Sequence, residues 1–247
     1  VHPSRERIEE GVWEEPMGKR VWGEPLCLWE EEGLWVFAKP SGMCTHPAHG
    51  EEGEDLLSWA RRVCGASGAL APVHRLDRET SGLVVCSEDP QMRGGMGIWF
   101  RDGAIRKVYL ALVYGCTRSK GVIEKPLSDA RREKPLEAIT RYRCLEVFLE
   151  RASLVEVEPE TGRKHQIRRH FQGIGHSVVG DKRYPPPRWR ALPGFPGRLW
   201  LHAAKMILPD GQSFEAPLSE ELEQHLRILR EANEQSVDPL STSNREP

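Results

Sequence analysis

The sequence predicts an α+β fold, a mixed and mainly antiparallel β-sheet flanked by helices. Two observations predict it. Strand-like segments follow one another without the regular strand–helix alternation of a parallel sheet. The 247 residues also show no internal repeat, and no linker long enough to force a domain boundary.

The elements follow in order. LCLWEEEGLWVFAK (26–39) reads as two short strands around an acidic turn closed by Gly33, and Lys39-Pro40 then enters the turn PSG. GEDLLSWARRVCG places Leu56, Leu57, Ala60 and Val63 at helical spacing, with Gly65 as C-cap. GLVVCS is a buried strand, and PQMRGGMGIWF is helical by context despite Gly94, Gly95 and Gly97, each costing about 1 kcal/mol against Ala in a helix interior. RKVYLALVYG, EAITRYRCLEVF and RASLVEVEPE read as strands, the last with Ser153, Val155 and Val157 alternating with Leu154, Glu156 and Glu158. Thr161 is placed to N-cap a helix through RKHQIRRHF that Gly173 ends. YPPPRWRALPGFPG (184–197) is a rigid surface loop, RLWLHAAKMIL a final strand and SEELEQHLRILREAN an amphipathic helix. The expected organisation is an acidic N-terminal extension (1–24), one main domain (25–235) and a disordered polar tail (236–247).

Composition narrows the classes. No apolar run approaches membrane-spanning length, and the N-terminus has no signal-peptide core. Cys27, Cys44, Cys64, Cys86, Cys116 and Cys144 are spread without a C-x-x-C, which suits buried free thiols in a reducing cytoplasm. The formal net charge is only −2, but charge is unevenly distributed. Residues 1–60 carry thirteen acids against five bases, whereas residues 163–198 carry nine bases (Arg163, Lys164, Arg168, Arg169, Lys182, Arg183, Arg188, Arg190, Arg198) opposed only by Asp181. Such a block is either a solvated face or the footprint of a polyanion partner.

Three segments concentrate reactive side chains. In HRLDRETSGL (74–83), Asp77 lies between Arg75 and Arg78, close to His74. Flanking cations favour the ionised carboxylate, which suits a nucleophile or general base; the alternative is a turn whose Asp caps local N–H groups. In TGRKHQIRRH (161–170), His165 and Arg168 stand three apart on a helix and Arg163, Gln166 and His170 fall near one another, so the helix N-terminus and these donors could hold phosphates or bases. A metal set of His165, His170 and His176 is disfavoured, because H-x4-H does not put both imidazoles neatly on one face and no Cys or acid completes it. Tyr109 in KVYLALV is either a half-buried core residue or a stacking surface for a flipped base. His46 and His49 read as ordinary surface residues. No phosphate-binding loop, dinucleotide fingerprint, G-x-S-x-G or H-E-x-x-H occurs.

Taken together, HRLDRETSGL, KPSGMCTHP, KVYLALVYG, TGRKHQIRRHF with GHSVVGD, and RLWLHAAKMIL resemble, in order, the motifs of the RluA-type pseudouridine synthases over roughly residues 25–210. The resemblance implies that family's fold, with the active site in a cleft across the sheet. It implies cofactor-free isomerisation of uridine in structured RNA, with no metal. Asp77 matches the catalytic aspartate, Arg168 the arginine that pairs with it, and Tyr109 the tyrosine against the uracil. Arg75 matches an arginine that can enter the RNA helix as the nucleotide is extruded. His74, Arg163, Lys164, His165, Gln166, Arg169, Lys182 and Arg183 are expected to bind RNA. TGRKHQIRRH and EAITRYRCLEVF look most like tRNA-modifying (TruC-like) members, which favours tRNA over 23S rRNA. Ser177 in place of the common Pro and the Pro-rich 184–197 loop depart from the pattern. No RNA-binding S4 module is expected within the residues ahead of Leu26, and target choice is expected to rest on the catalytic domain. The chain is expected to act as a cytoplasmic monomer, the competing reading being an RNA-binding or RNA-folding protein that kept the fold without the chemistry.

Overall fold

The computed structural model describes residues 20–47, 53–129, 132–188 and 191–237. His49, Arg190, most of the N-terminal extension and the tail beyond Val237 lie outside the described residues.

β1 (Leu26–Glu31) and β2 (Leu34–Lys39) form the hairpin that the acidic turn predicts, with Glu32 and Gly33 at positive φ. A helical segment follows as α1 (Leu56–Trp59), capped by the Asp55 carboxylate on the N–H groups of Leu57 and Ser58. It runs into a π turn over Ala60–Cys64 that ends at Gly65, φ 74°. β3 (Ala71–Pro72) and β4 (Ser81–Ser87) bracket the HRLDRET loop, and all seven residues of β4 are buried.

α2 (Pro90–Arg101) forms despite its three glycines. Asp89 caps it, Pro90 sits in its first turn, and Met96 reaches the core. Then come β5 (Arg106–Tyr114), β6 (Lys120–Ile123), β7 (Thr140–Phe148), β8 (Ala152–Pro159), α3 (Gln166–Gly173), β9 (Leu201–Ile207), β10 (Ser213–Glu215) and α4 (Glu220–Val237). β10, a short strand beyond the turn at Gly211, escapes the sequence pattern because it has only three residues. α4 includes Ser236 and Val237, the first two residues of the expected tail, whose remainder lies outside the described residues.

The strands form one sheet in the order β1-β2-β4-β9-β5-β8-β7-β6, with β10 on β9 and β3 on β4. Every pairing is antiparallel except β4 with β9, which makes the sheet mixed and mainly antiparallel. That parallel contact needs Gly82. Its φ is +111°, and a Cβ there would stand 2.2 Å from the Ala203 carbonyl oxygen.

The central strands are buried on both faces, and side-chain alternation divides their contacts. Ala111, Val113, Val155 and Val157 pack with Ile167 and Phe171 of α3. Leu112, Tyr114, Ala152 and Leu154 pack with Trp200 and with Leu222, Leu226 and Leu229 of α4. α3 therefore lies on one face of β5 and β8 and α4 on the other. A third cluster joins β2 and β4 to α1 and α2. The Asp77 loop enters β4, and Tyr109 of β5 pairs across β9 at Ala203, so both project from the middle of the sheet.

Candidate active site

The loop that carries Asp77 is held from the KPSGMCT turn. Lys39 is 1 % exposed, and its Nζ donates to the carbonyls of Pro40 (2.9 Å), Met43 (2.8 Å) and Arg78 (3.2 Å). Burial, reinforced by the Arg198 cation, brings the Lys39 pKa down to about 7. Ser41 Oγ donates to the Glu79 carbonyl, Gly42 N–H to that of Arg78, and Arg78 Nε to that of Gly42. Thr45 Oγ1 lies 3.3 Å from the Leu76 carbonyl. Asp77 itself forms a turn, its carbonyl accepting Thr80 N–H, while its carboxylate keeps one third of its surface exposed. The turn and the site are thus the same feature. Arg75 is exposed, with Nη1 3.4 Å from His46 Nε2.

α3 begins later than the sequence suggests, at Gln166, with His165 at the N-cap position in left-handed conformation (φ 53°, ψ 30°). Thr161 does not cap the helix backbone; its hydroxyl donates to Gln166 Oε1, which also accepts Arg163 N–H. Gln166 Nε2 donates to the Ile139 carbonyl and to Thr140 Oγ1. Gln166 is 4 % exposed and engaged at both ends, and it ties the 161–165 loop to β7. His74, half-buried, is also engaged within the fold. Its Nε2 accepts Val85 N–H at 3.1 Å and its ring lies 4.7 Å from that of Phe100. Burial, with Lys107 adding to it, pushes its pKa down to about 3, so it is a neutral brace between the Asp77 loop and β4.

Arg168 is the focus of the site. At 2 % exposure its guanidinium is a buried cation, which requires compensation. Asp181 provides most of it: Nε donates to one carboxylate oxygen at 2.7 Å and Nη2 to the other at 2.8 Å. Glu79 lies 2.9 Å from Nη2, and Asp77 lies 3.8 Å from Nη1. Arg168 and Asp77 are therefore brought together, but the carboxylate that fixes Arg168 is Asp181. Asp181 also accepts the N–H groups of Arg183 and Tyr184, each at 2.9 Å, and so folds the loop that sets Tyr184 beneath the guanidinium, 5.5 Å from ring centre. Tyr184 Oη lies 3.0 Å from His165 Nδ1, and His165 Nε2 lies 3.6 Å from Asp77 Oδ1. Burial lowers the His165 pKa against the opposing pull of Asp77, which favours the neutral imidazole.

Tyr109 lies at a register shift between Val108 and Tyr109 where β5 meets β9. Burial, and then the Asp77 charge, raises the pKa of its phenol, which stays protonated. The basic segment divides. Lys164, Lys182, Arg183 and Arg188 are exposed; Arg163 donates to the Glu137 carbonyl and Arg169 to that of Ser128 from partly exposed positions. Arg168 and Arg198 point inward, Arg198 donating to Glu221 and Ser81 at 2.7 Å each. His170 is buried between Thr140 and the Lys125 carbonyl, and His176 contacts the Tyr114 carbonyl, so neither faces His165.

Asp181, Tyr184, Glu79 and Lys39 were not singled out as site residues from the sequence. Asp181 had a signal there: it is the only acid within the basic block.

A mixed sheet with an aspartate loop at its centre, facing an inward arginine and a tyrosine, defines the class. The family model for RNA pseudouridylate synthase matches residues 33–173, and the chain belongs to that family. It is 37 % identical over 174 residues to the ribosomal large subunit pseudouridine synthase D of Zymomonas mobilis, an alignment covering 64 % of this chain and 55 % of that protein. It is 34 % identical over 227 residues to the ribosomal large subunit pseudouridine synthase C of Vibrio parahaemolyticus, covering 85 % of this chain and 71 % of the relative. The chain thus spans between about half and seven tenths of the length of these two relatives. The fold matches that of human RNA pseudouridylate synthase domain containing 4 with a TM-score of 0.72 at 24 % identity, over 83 % of this chain and 92 % of that one.

Proposed function

We propose that this chain isomerises specific uridines to pseudouridine in structured RNA, using Asp77, Tyr109 and Arg168 and no cofactor. The observation that carries the reading is the Asp77 carboxylate, one third exposed and 3.8 Å from an arginine that Asp181 locks in a buried position. Membership of the family supports it.

The chemistry asks for a carboxylate that remains ionised and accessible. Asp77 serves either by adding to C1′ of the ribose or by taking a proton on the way to a glycal. In both routes the C1′–N1 bond breaks, the uracil turns, and C5 joins C1′. Arg168 holds positive charge beside the carboxylate without freedom to swing away. A uridine stacked in a helix cannot present C1′ to a partly buried carboxylate, so the nucleotide leaves the stack. Tyr109 offers an aromatic face to the extruded base, and exposed Arg75 is placed to fill the vacated stack. Lys164, Lys182 and Arg183, with the partly exposed Arg163 and Arg169, supply the phosphate contacts around the opening. His165 has a different part, given below.

The RNA target is the finer half of the proposal. The tRNA reading rests on TGRKHQIRRH and EAITRYRCLEVF, while the names of the two relatives draw attention to large-subunit rRNA. Tritium release from transcripts of tRNA and of 23S rRNA labelled at uracil C5, followed by mapping of the modified positions, tests both halves at once. Release from one class identifies the target, and release from neither contradicts the enzyme reading.

A further inference from the structure

The proposed isomerisation leaves one proton unassigned. When C5 bonds to C1′ it still carries its hydrogen. That hydrogen must depart as a proton, its C–H electron pair restoring the ring double bond, while N1, which kept the pair of the broken C1′–N1 bond, must gain one. A group beside Asp77 that can accept a proton is needed for the step to be fast.

Four of the surrounding side chains are poorly suited. Lys39 has its ammonium committed to three backbone carbonyls. Tyr109 is a protonated phenol. Glu79 is engaged by Arg168 at 2.9 Å, and Arg168 is itself a cation. His165 remains. Its side chain is 10 % exposed, its Nδ1 is held 3.0 Å from Tyr184 Oη, and its Nε2 lies 3.6 Å from Asp77 Oδ1, beside the carboxylate but too far for a hydrogen bond. The position is built at a cost. His165 has φ 53°, a conformation uncommon outside glycine and enriched among Asn, Asp and His, and the Gln166 network over-determines it. Strain of this kind at the edge of a reactive carboxylate is an observation that asks for a function. The charged groups around the imidazole are Asp77, Arg168, Arg183 and Lys164, three of them cations that oppose its protonation in the free protein.

We propose that His165, oriented by Tyr184, accepts the C5 proton. This rests on the isomerase reading above. Nδ1–H is donated to Tyr184 Oη, so Nε2 presents its lone pair to the turned uracil. Nε2 takes the proton from C5 and passes it to water, and N1 takes one proton from water. Proton number is unchanged and no co-reactant is required. Asp77 is thereby released from handling the C5 proton and serves the sugar.

The test compares wild-type protein with His165→Asn and His165→Ala, using RNA transcripts carrying hydrogen or deuterium at uracil C5. Asn tolerates the left-handed conformation and keeps the fold but cannot accept the proton. Under single-turnover conditions with saturating protein, His165→Asn should convert roughly 100-fold more slowly. Its rate should acquire a primary isotope effect at C5, with RNA affinity retained, and imidazole should restore part of the His165→Ala rate. An active wild type together with a His165→Asn variant of unchanged rate, or one slowed only through weaker RNA binding and without an isotope effect, overturns the proposal alone. A wild-type protein that turns over no transcript overturns the isomerase reading and this proposal with it.

Discussion

Asp181 decides the geometry of Arg168 without approaching Asp77 directly. Its two oxygens accept Nε and Nη2 of the arginine and two loop N–H groups, so one buried carboxylate sets both the cation and the Tyr184 ring. Asp181→Asn keeps the shape but removes the charge that compensates a 2 %-exposed guanidinium. We predict a loss of about 3 kcal/mol or more in unfolding free energy, as for other broken buried pairs. Urea unfolding reads it directly, and tritium release should fall with it. A variant as stable and active as wild type would show that Glu79 suffices to hold Arg168. At this scale the sequence was informative about residue type and poor about partners. Asp77, Tyr109 and Arg168 were legible through their motifs. The flanking of Asp77 by Arg75 and Arg78 suggested local cations, yet Arg75 reaches His46, and the arginine that approaches Asp77 comes from α3. Sequence neighbours in a turn point in different directions, and tertiary pairing is invisible to spacing.

Among the elements, α2 and the entry to β4 use glycine in opposite ways. Gly94, Gly95 and Gly97 have ordinary helical φ, and a Cβ at any of them meets nothing within 4 Å. Replacement by Ala should therefore stabilise the protein, by up to about 1 kcal/mol at each site. Gly82→Ala should destabilise by at least about 2 kcal/mol, because the new methyl collides with the Ala203 backbone at a φ that Ala avoids. Chemical denaturation of the four single variants checks both signs, and a destabilising Gly95→Ala would expose a role for α2 outside the fold. The hairpin, the long strands and α4 were legible because their periodicity or turn residues are strong. The start of α3 was not. Thr161 offers a hydroxyl at a plausible cap position, but the Gln166 amide captures it and the helix waits until His165 has made its left-handed turn. A side chain that binds the backbone from inside the helix leaves no signature that a capping rule detects.

Across the whole molecule, a net charge of −2 hides a basic block whose members differ in function. Two of its arginines are internal struts and at least four of its cations face outward. Burial also governs the response to pH. His202 donates through Nε2 to the Ala216 carbonyl and accepts the Ser81 hydroxyl, and His225 accepts Trp200 Nε1–H, so both are neutral, with pKa values lowered to about 4 by burial. An unfolded histidine titrates near 6.5, so between about pH 6.5 and 4 the unfolded chain binds more protons than the folded one. Stability contributed by the neutral rings is then present above pH 6.5 and lost on acidification, by about 1.4 kcal/mol per pH unit for each ring. Urea unfolding at pH 7 and pH 5 should show the decline, and replacing His225 should flatten part of it. An unchanged midpoint at pH 5 would contradict the buried neutral assignment. The same sheet that shelters these rings presents Asp77 at its centre, and the central claim is that this carboxylate converts uridine. Tritium release from C5-labelled tRNA and 23S rRNA transcripts, measured for wild type and Asp77→Asn, tests it most directly. Wild-type protein should release tritium and the variant none while still binding RNA; release undiminished in Asp77→Asn, or absent from a folded wild type, would refute the role of Asp77.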